Sequence, residues 1–473
     1  MLLSFVGQAD YGVYQTSNSF VFSLSLLSFG FSQAYVRFYT QKRAHGEDVR
    51  RLNGVYLVLY AVASVAAVLI GLFFAASAGT LFSSSFTREE VGLAQMVMSV
   101  MSGSIAVTLF NSVFDAYVLA HEEFRFQQSR QLITTLVTPF CAYALLCIGF
   151  GVVGVAVAQL AVNVVLLALN ASFCLGPLKM RFDVRHFDCV LFKAIATFSA
   201  WIFANQVCDL VYQNVPNVVL GMFTSASAVA VFAVSVQIRN VFYSLSTTLS
   251  NVFTPEINRI VAEADDNERL TRLMSRVGRL QMMLFCWVFG GFVILGRFFV
   301  ERWAGAGFSD AYWIVLIMVA PLMLPLTQNT GIEIQRAKNM HWARSIGMLI
   351  VAAFNVACTF LLSPYIGYWA PTAAYALGVL LCNGMFLNWY YQYRVGLDMV
   401  FFWRRCLPVV ASGVVAAVLC LAGTLVVPVS AWSAFFVWGV IFTVVFAAAV
   451  WLFALDGSER VLLASKLARE QPK

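Results

Sequence analysis

A charged side chain in the middle of a long apolar segment costs about 2.5–3.5 kcal/mol on insertion scales and marks a functional position by default. Two residues meet that description. Asp209 lies 13 residues before the end of the apolar segment 190–222, and Arg239 lies 13 residues after the start of the segment 226–253. At about 1.5 Å per residue, both stand about 20 Å from the same face. Only a short turn at 224–225 separates their segments. Two chemistries fit. The residues can neutralise each other as a structural ion pair, or Arg239 can present its rigid donor fork to a phosphate group. Lys193 and Arg37 lie near segment ends, where a cation either snorkels to lipid headgroups or meets an anionic group as it enters. The amides Asn205, Gln206, Gln213, Asn214 and Asn217 thread one segment around Pro216, and Gln328 and Asn329 follow Pro321 and Pro325 in another. Amides suit sugar hydroxyls, and they equally hydrogen-bond between helices. Asp115 and Glu333 sit near the ends of their own segments. They can close a gate by pairing with Arg37 or Arg336, or remain solvated interfacial acids.

The elements that position these groups follow from composition. The chain has 473 residues, is 61% hydrophobic and only 11% charged, against about 25% charged in a soluble domain. Apolar runs of about 20 residues recur along the whole length, which is what a helix needs to cross a bilayer. Lipid excludes open sheet edges, so the spans are expected to be helices. This reading excludes a soluble enzyme. The net charge of +7 reflects a bias in the loops and does not call for nucleic acid. The ten cysteines form no CxxC pair and the four histidines are scattered, so no disulfide frame, metal site or cofactor is expected. No GxxxxGK[ST] phosphate loop occurs, so ATP hydrolysis by that route is not expected.

Thirteen spans are expected, at 11–38, 53–77, 91–120, 127–149, 151–175, 190–222, 226–253, 277–299, 311–333, 343–363, 366–392, 406–427 and 431–454. The loops alternate in charge. One side collects 25 of the 30 Lys and Arg residues, while the other holds only Arg88, Arg297 and Arg302. The rich side is expected to be cytoplasmic, placing the C-terminus inside. The segment 256–279 reads as the longest loop. Residues 458–473 read as a basic amphipathic helix on the inner leaflet.

The two halves echo each other. Residues 9–14 (ADYGVY), 118–124 (VLAHEEF) and 151–158 (GVVGVAVA) find counterparts at 227–232 (SAVAVF), 334–340 (IQRAKNM) and 367–374 (GYWAPTAA), 216–218 residues later. That interval holds six spans, an even number, so the repeat is parallel. The second copy has six spans and the first has five. The expected architecture is therefore all-α and polytopic: two parallel-repeat six-helix bundles plus two C-terminal helices, with the first helix of the first bundle expected to be missing. The expected divisions are 1–175 for the N-terminal bundle, 190–392 for the C-terminal bundle, 406–454 for the two-helix extension and 455–473 for a cytoplasmic tail.

On residues 9–14, 219–223 (VLGMF), 230–234 (AVFAV), 119–124 (LAHEEF) and 150–156 (FGVVGVA), the chain resembles the polysaccharide transporters of the MATE/oligosaccharidyl-lipid/polysaccharide exporter superfamily, most nearly the Wzx-type O-antigen and repeat-unit flippases. The resemblance implies two bundles around a central cavity and alternating access in a bacterial or archaeal cytoplasmic (inner) membrane. Its cargo would be a polyprenyl-pyrophosphate-linked oligosaccharide carried to the outer leaflet, as in lipopolysaccharide biosynthesis. Under it, Arg239, Lys193, Asn205, Gln213 and Asn217 would contact cargo, Asp209 and Arg239 would form a charge pair or couple an ion, and Arg37, Asp115 and Glu333 would form the cytoplasmic gate. Partners would be membrane lipids and, by analogy, glycan polymerase and chain-length proteins. Three other readings stand beside it: a cation-coupled multidrug antiporter of the same superfamily, a peptidoglycan lipid-precursor flippase, and an integral-membrane glycan polymerase or ligase. The last needs a large outer loop with acid–base residues. The longest outer loops, 78–90 and 300–310, hold about a dozen residues and no histidine.

Overall fold

The computed structural model describes residues 6–184, 189–251, 257, 259–261, 266–338, 340 and 342–455. The described chain forms helices α1 (Gln8–Phe22), α2 (Phe31–Ala44), α3 (Arg50–Leu81), α4 (Arg88–Ala120), α5 (Phe124–Cys147), α6 (Gly151–Leu175), α7 (Cys189–Phe223) and α8 (Ala226–Asn251). They are followed by α9 (Asn267–Trp303) and α10 (Ala306–Thr327, with a tight turn at Ala320–Leu322). Then come α11 (Asn329–Ala337), α12 (Trp342–Ile366), α13 (Trp369–Val395), α14 (Met399–Val426) and α15 (Trp432–Ala454). Among the described residues, 11 helices are long and apolar enough to cross a membrane.

The two remaining expected spans behave differently. α7 is a continuous helix of 35 residues. The expected span 11–38 is broken. After α1 the chain tightens through a 3-10 turn at Ser23–Ser28, then Phe29 and Gly30 adopt left-handed backbone at φ 46° and 68° before α2 begins. Ser23 starts this departure by returning its hydroxyl to the Ser19 carbonyl at 2.9 Å, a bond that competes with regular helix.

The stretch read as a loop up to residue 279 is helical from Asn267. Asp266 caps α9 by accepting from the amides of Glu268 (2.9 Å) and Arg269 (3.1 Å). Leu270, Leu273, Met274 and Val277 then line one buried face at helical spacing. A cap and an apolar stripe outweigh the loop-like charge of Arg269, Arg272 and Arg276 on the other faces. At the start of α4, Thr87 and Glu90 bond each other's amides in a reciprocal capping box.

Helix starts preserve the repeat. α1, α3, α4, α5 and α6 begin at 8, 50, 88, 124 and 151, while α8, α9, α10, α12 and α13 begin at 226, 267, 306, 342 and 369. Packing draws its own boundary. One compact unit comprises residues 1–233 with 356–368, and the other comprises 234–355 with 369–473. In the first unit, α4 is central, with α1, α2, α3 and α6 packed around it, and α7 lies against α1 and α2. Gly71 of α3 meets the Ser102 side chain of α4 so closely that no side chain fits between them. In the second unit, α9 packs along α14, and α10 along α13. Gly278 of α9 permits that approach, since a Cβ there would lie 2.6 Å from the Phe402 ring and 2.7 Å from the Thr327 carbonyl.

Outward faces are apolar. Leu132, Ile133, Leu136 and Phe140 of α5, and Leu425, Val426, Phe436 and Val440 of α14 and α15, are exposed. In water such surface is unfavourable. In a bilayer it is the expected lipid-facing coat.

Candidate functional site

The first unit holds a polar cluster inside its apolar helices. Asp115 of α4 pairs with Arg130 of α5. The same carboxylate accepts from Asn111 Nδ2 (3.0 Å) and Asn170 Nδ2 (2.8 Å). Asn170, on α6 and fully buried, also donates to Asn111 Oδ1 at 2.8 Å and accepts from Arg130 Nη1 at 2.6 Å. The four side chains therefore clasp α4, α5 and α6 together. On the same α4 face, Ser104 and Thr108 receive Asn163 Nδ2 at 2.8 and 3.1 Å. Positions 104, 108, 111 and 115 recur at helical spacing, so one stripe of α4 carries the whole polar ladder.

Asp115 thus finds its partner on the neighbouring helix, and Arg37 has another contact. The Arg37 guanidinium stands 4.4 Å from the centre of the Phe198 ring, joining α2 to α7. Glu333 is bonded to Arg336 at 2.7 Å, one turn along α11. Asn217 is buried and donates to Ser19 Oγ of α1 at 3.0 Å. Gln213 is exposed on α7, and Lys193 is exposed near its start. The side chains of Asn205 and Asp209 lie outside the described residues.

In the second unit Arg239 is 7% exposed. Its guanidinium lies 4.6 Å from the centre of the Tyr375 ring of α13, and Nη2 donates to Asn240 Oδ1 at 3.0 Å. Among the described residues, no carboxylate is within ion-pair distance of it. A desolvated cation–π contact is worth about 2 kcal/mol, comparable to the cost of holding the charge in a span. Tyr375 therefore helps to sustain a buried cation. A second polar junction joins Gln328, between α10 and α11, to α13 and α14. There Asn388 Oδ1 accepts from Gln328 Nε2 (3.0 Å) and Trp403 Nε1 (2.8 Å).

Several of these residues escaped the sequence reading. Arg130 stands near the start of the expected span 127–149, where it reads as an interfacial cation, and its spacing does not point to Asp115 on another helix. Tyr375 gives no sequence signal. Asn111 and Asn170 did give one: they stand 218 residues before Asn329 and Asn388.

The chain was compared with known proteins. Residues 2–312 match the family model described as "Polysaccharide biosynthesis protein". Over 459 residues the chain is 23% identical to "Uncharacterized membrane protein EpsK" of Bacillus subtilis (strain 168), covering 95% of this chain and 89% of that protein. In fold it is similar to the lipid II flippase MurJ in an inward closed conformation, with TM-score 0.74, 14% identity, and coverage of 94% and 92% of the two chains. It is also similar to an inward-facing multidrug resistance MATE family transporter, with TM-score 0.65, 15% identity, and coverage of 83% and 94%. The helical repeat, the membrane-spanning lengths and the matched family together show a multi-pass membrane protein that belongs to the polysaccharide biosynthesis protein family.

Proposed function

We propose that this protein is a flippase that moves a polyprenyl-pyrophosphate-linked oligosaccharide from the cytoplasmic to the outer leaflet by alternating access. Arg239 carries the reading. It is a mid-span cation, buried against Tyr375, with no carboxylate in reach among the described residues. Such a group suits an anionic cargo better than a cationic drug. Family membership supports a polysaccharide-linked cargo over other anions. Lys193 and Arg37, near span ends, are read as early contacts for the pyrophosphate. Gln213, Asn217 and Asn205 are read as contacts for sugar hydroxyls, with Asp209 tuning Arg239. Asp115 and Glu333 are read as fastening the cytoplasmic ends. The protein is read as a transporter with no catalytic step of its own, resident in the inner membrane with its C-terminus in the cytoplasm. It would hand its cargo to a polymerase and chain-length proteins.

The driving force needs no nucleotide. Moving an anion outward across an inside-negative membrane releases about 2.3 kcal/mol per charge per 100 mV. The multidrug reading needs acids facing the cargo, and Asp115 is already committed to Arg130, Asn111 and Asn170.

Deleting the gene in its native host and analysing lipid-linked saccharides by mass spectrometry with leaflet-specific labelling tests this reading. One complete repeat unit is expected to accumulate on the inner leaflet and to clear when the gene is restored. A lipid-linked saccharide pool unchanged in amount and leaflet, in a host lacking any second flippase, refutes it.

A further inference from the structure

The clasp of the first unit has a counterpart in the second. Asn111, Asp115 and Asn170 stand 218 residues before Asn329, Glu333 and Asn388, the interval that also separates the starts of α5 and α12. Both sets occupy repeat-equivalent places: α4 and α6 in one unit, and in the other α13 and α11, the short helix that follows α10, the counterpart of α4. An arginine on the intervening helix completes each set, Arg130 on α5 and Arg344 on α12. Three like residues at one interval, with a cation beside them, are more than the scattering of small polar residues expected among spans.

The two sets are in opposite states. In the first unit the carboxylate, both amides and the guanidinium are mutually bonded. In the second, Glu333 is turned to Arg336 on its own helix, whose side chain is 62% exposed. Asn388 is turned to Gln328 and Trp403, and its Nδ2 donates to the carbonyls of Asn383 and Gly384. Asn329 Nδ2 and Arg344 Nε are buried with no hydrogen-bond partner. A buried donor without a partner costs about 1–3 kcal/mol. Such donors persist where another arrangement of the same residues satisfies them.

We propose that Glu333, Arg344, Asn329 and Asn388 form the clasp of the second unit, open in this conformation, and that Glu333 exchanges Arg336 for Arg344 when α11, α12 and α13 close. Three features permit the exchange. The present Glu333–Arg336 bond is exposed on the arginine side and hence weak. Arg344 stands one turn before the strict equivalent of Arg130, which is Met348. That is four residues, about 6 Å along the axis, a gap that the extra methylene of glutamate and a slide of α12 by most of a turn bridge. π-Helical turns at Leu380–Leu387 and Tyr391–Val395 flank Asn388 on α13, and such turns mark places where helix register changes. The closure would be a step of the transport cycle proposed above, and only in that respect does it rest on that reading. Its test reads geometry and needs no cargo.

The experiment is oxidative cross-linking in native membranes, starting from a variant with its ten cysteines replaced. The pair Glu333→Cys/Arg344→Cys is expected to cross-link at least tenfold faster than the control Glu333→Cys/Leu349→Cys, whose second position is exposed on α12. The pair Asp115→Cys/Arg130→Cys, already closed, serves as the positive control. A positive control that cross-links while the 333/344 pair stays at the rate of the 333/349 pair overturns the proposal. If the cysteine variants fail to reach the membrane, Arg336→Ala gives an independent readout. Freed from Arg336, Glu333 is expected to close the clasp and slow hydrogen exchange across 329–337 severalfold. An α11 that has only lost a surface ion pair would exchange faster, and that result overturns the proposal.

Discussion

Removing the Asp115 carboxylate tests whether the first clasp holds its three helices. Asp115→Ala deletes the ion pair to Arg130 and the bonds from Asn111 and Asn170. It leaves the Arg130 side chain, 12% exposed, with one acceptor, Asn170 Oδ1 at 2.6 Å. Breaking a buried pair costs about 3–5 kcal/mol, whereas an exposed pair is worth about 0–1 kcal/mol. The Asp115 side chain is 38% exposed, so the expected loss lies between, at about 2–3 kcal/mol. The double variant Asp115→Leu/Arg130→Met removes both charges and leaves no orphaned charge. It loses only amide bonds, worth about 0.6 kcal/mol each between membrane helices, and regains apolar packing. Its expected loss is about 1 kcal/mol, so it is expected to be more stable than Asp115→Ala by about 1.5 kcal/mol, slightly more than tenfold in the unfolding equilibrium. Equilibrium unfolding of purified protein in SDS mixed micelles measures both variants. A double variant at least as destabilised as Asp115→Ala would show that the charges do not hold the helices, and would refute the reasoning.

Further outcomes follow from other contacts. Gly278→Ala is expected to cost about 1–3 kcal/mol by overpacking α9 against Phe402 and the rigid Thr327 carbonyl; unchanged unfolding would show that α9 and α14 are loosely packed. Thr87→Ala removes the α4 cap and is expected to cost about 1 kcal/mol, read as faster limited proteolysis at Arg88 in solubilised protein; an unchanged cleavage rate would deny the cap a stabilising role. Tyr375→Leu removes the ring beneath Arg239 and is expected to reduce cargo translocation about tenfold while Tyr375→Phe retains most of it; equal loss in both would assign the role to the hydroxyl.

The spans, their repeat and the family were legible in the sequence because they rest on long-range regularities. Hydropathy over about 20 residues and an interval near 217 survive local irregularity. Boundaries fared worse where local bonding competes with periodicity. The Ser19–Ser23 bond and the left-handed Phe29–Gly30 pair break a segment that hydropathy reads as one. The Asp266 cap extends α9 into a charged stretch that reads as loop. Arg239 stood out in the sequence because a lone charge contrasts with apolar neighbours, and its side chain is buried. Its support by Tyr375, and the capture of Asp115 by Arg130, were not legible, because both partners lie on other helices and sequence spacing carries no cross-helix register. The amides that complete the first clasp do carry a sequence signal, since Asn111 and Asn170 stand 218 residues before Asn329 and Asn388.

The most direct test of the proposed transport uses purified protein in proteoliposomes loaded with a labelled polyprenyl-pyrophosphate oligosaccharide, its leaflet followed by an impermeant lectin or hydrolase. Translocation is expected with the wild-type protein, accelerated by a potential that is negative on the side of departure, and reduced at least tenfold by Arg239→Ala. Absence of translocation by a protein that instead exports an organic cation, or translocation indifferent to Arg239, would contradict it.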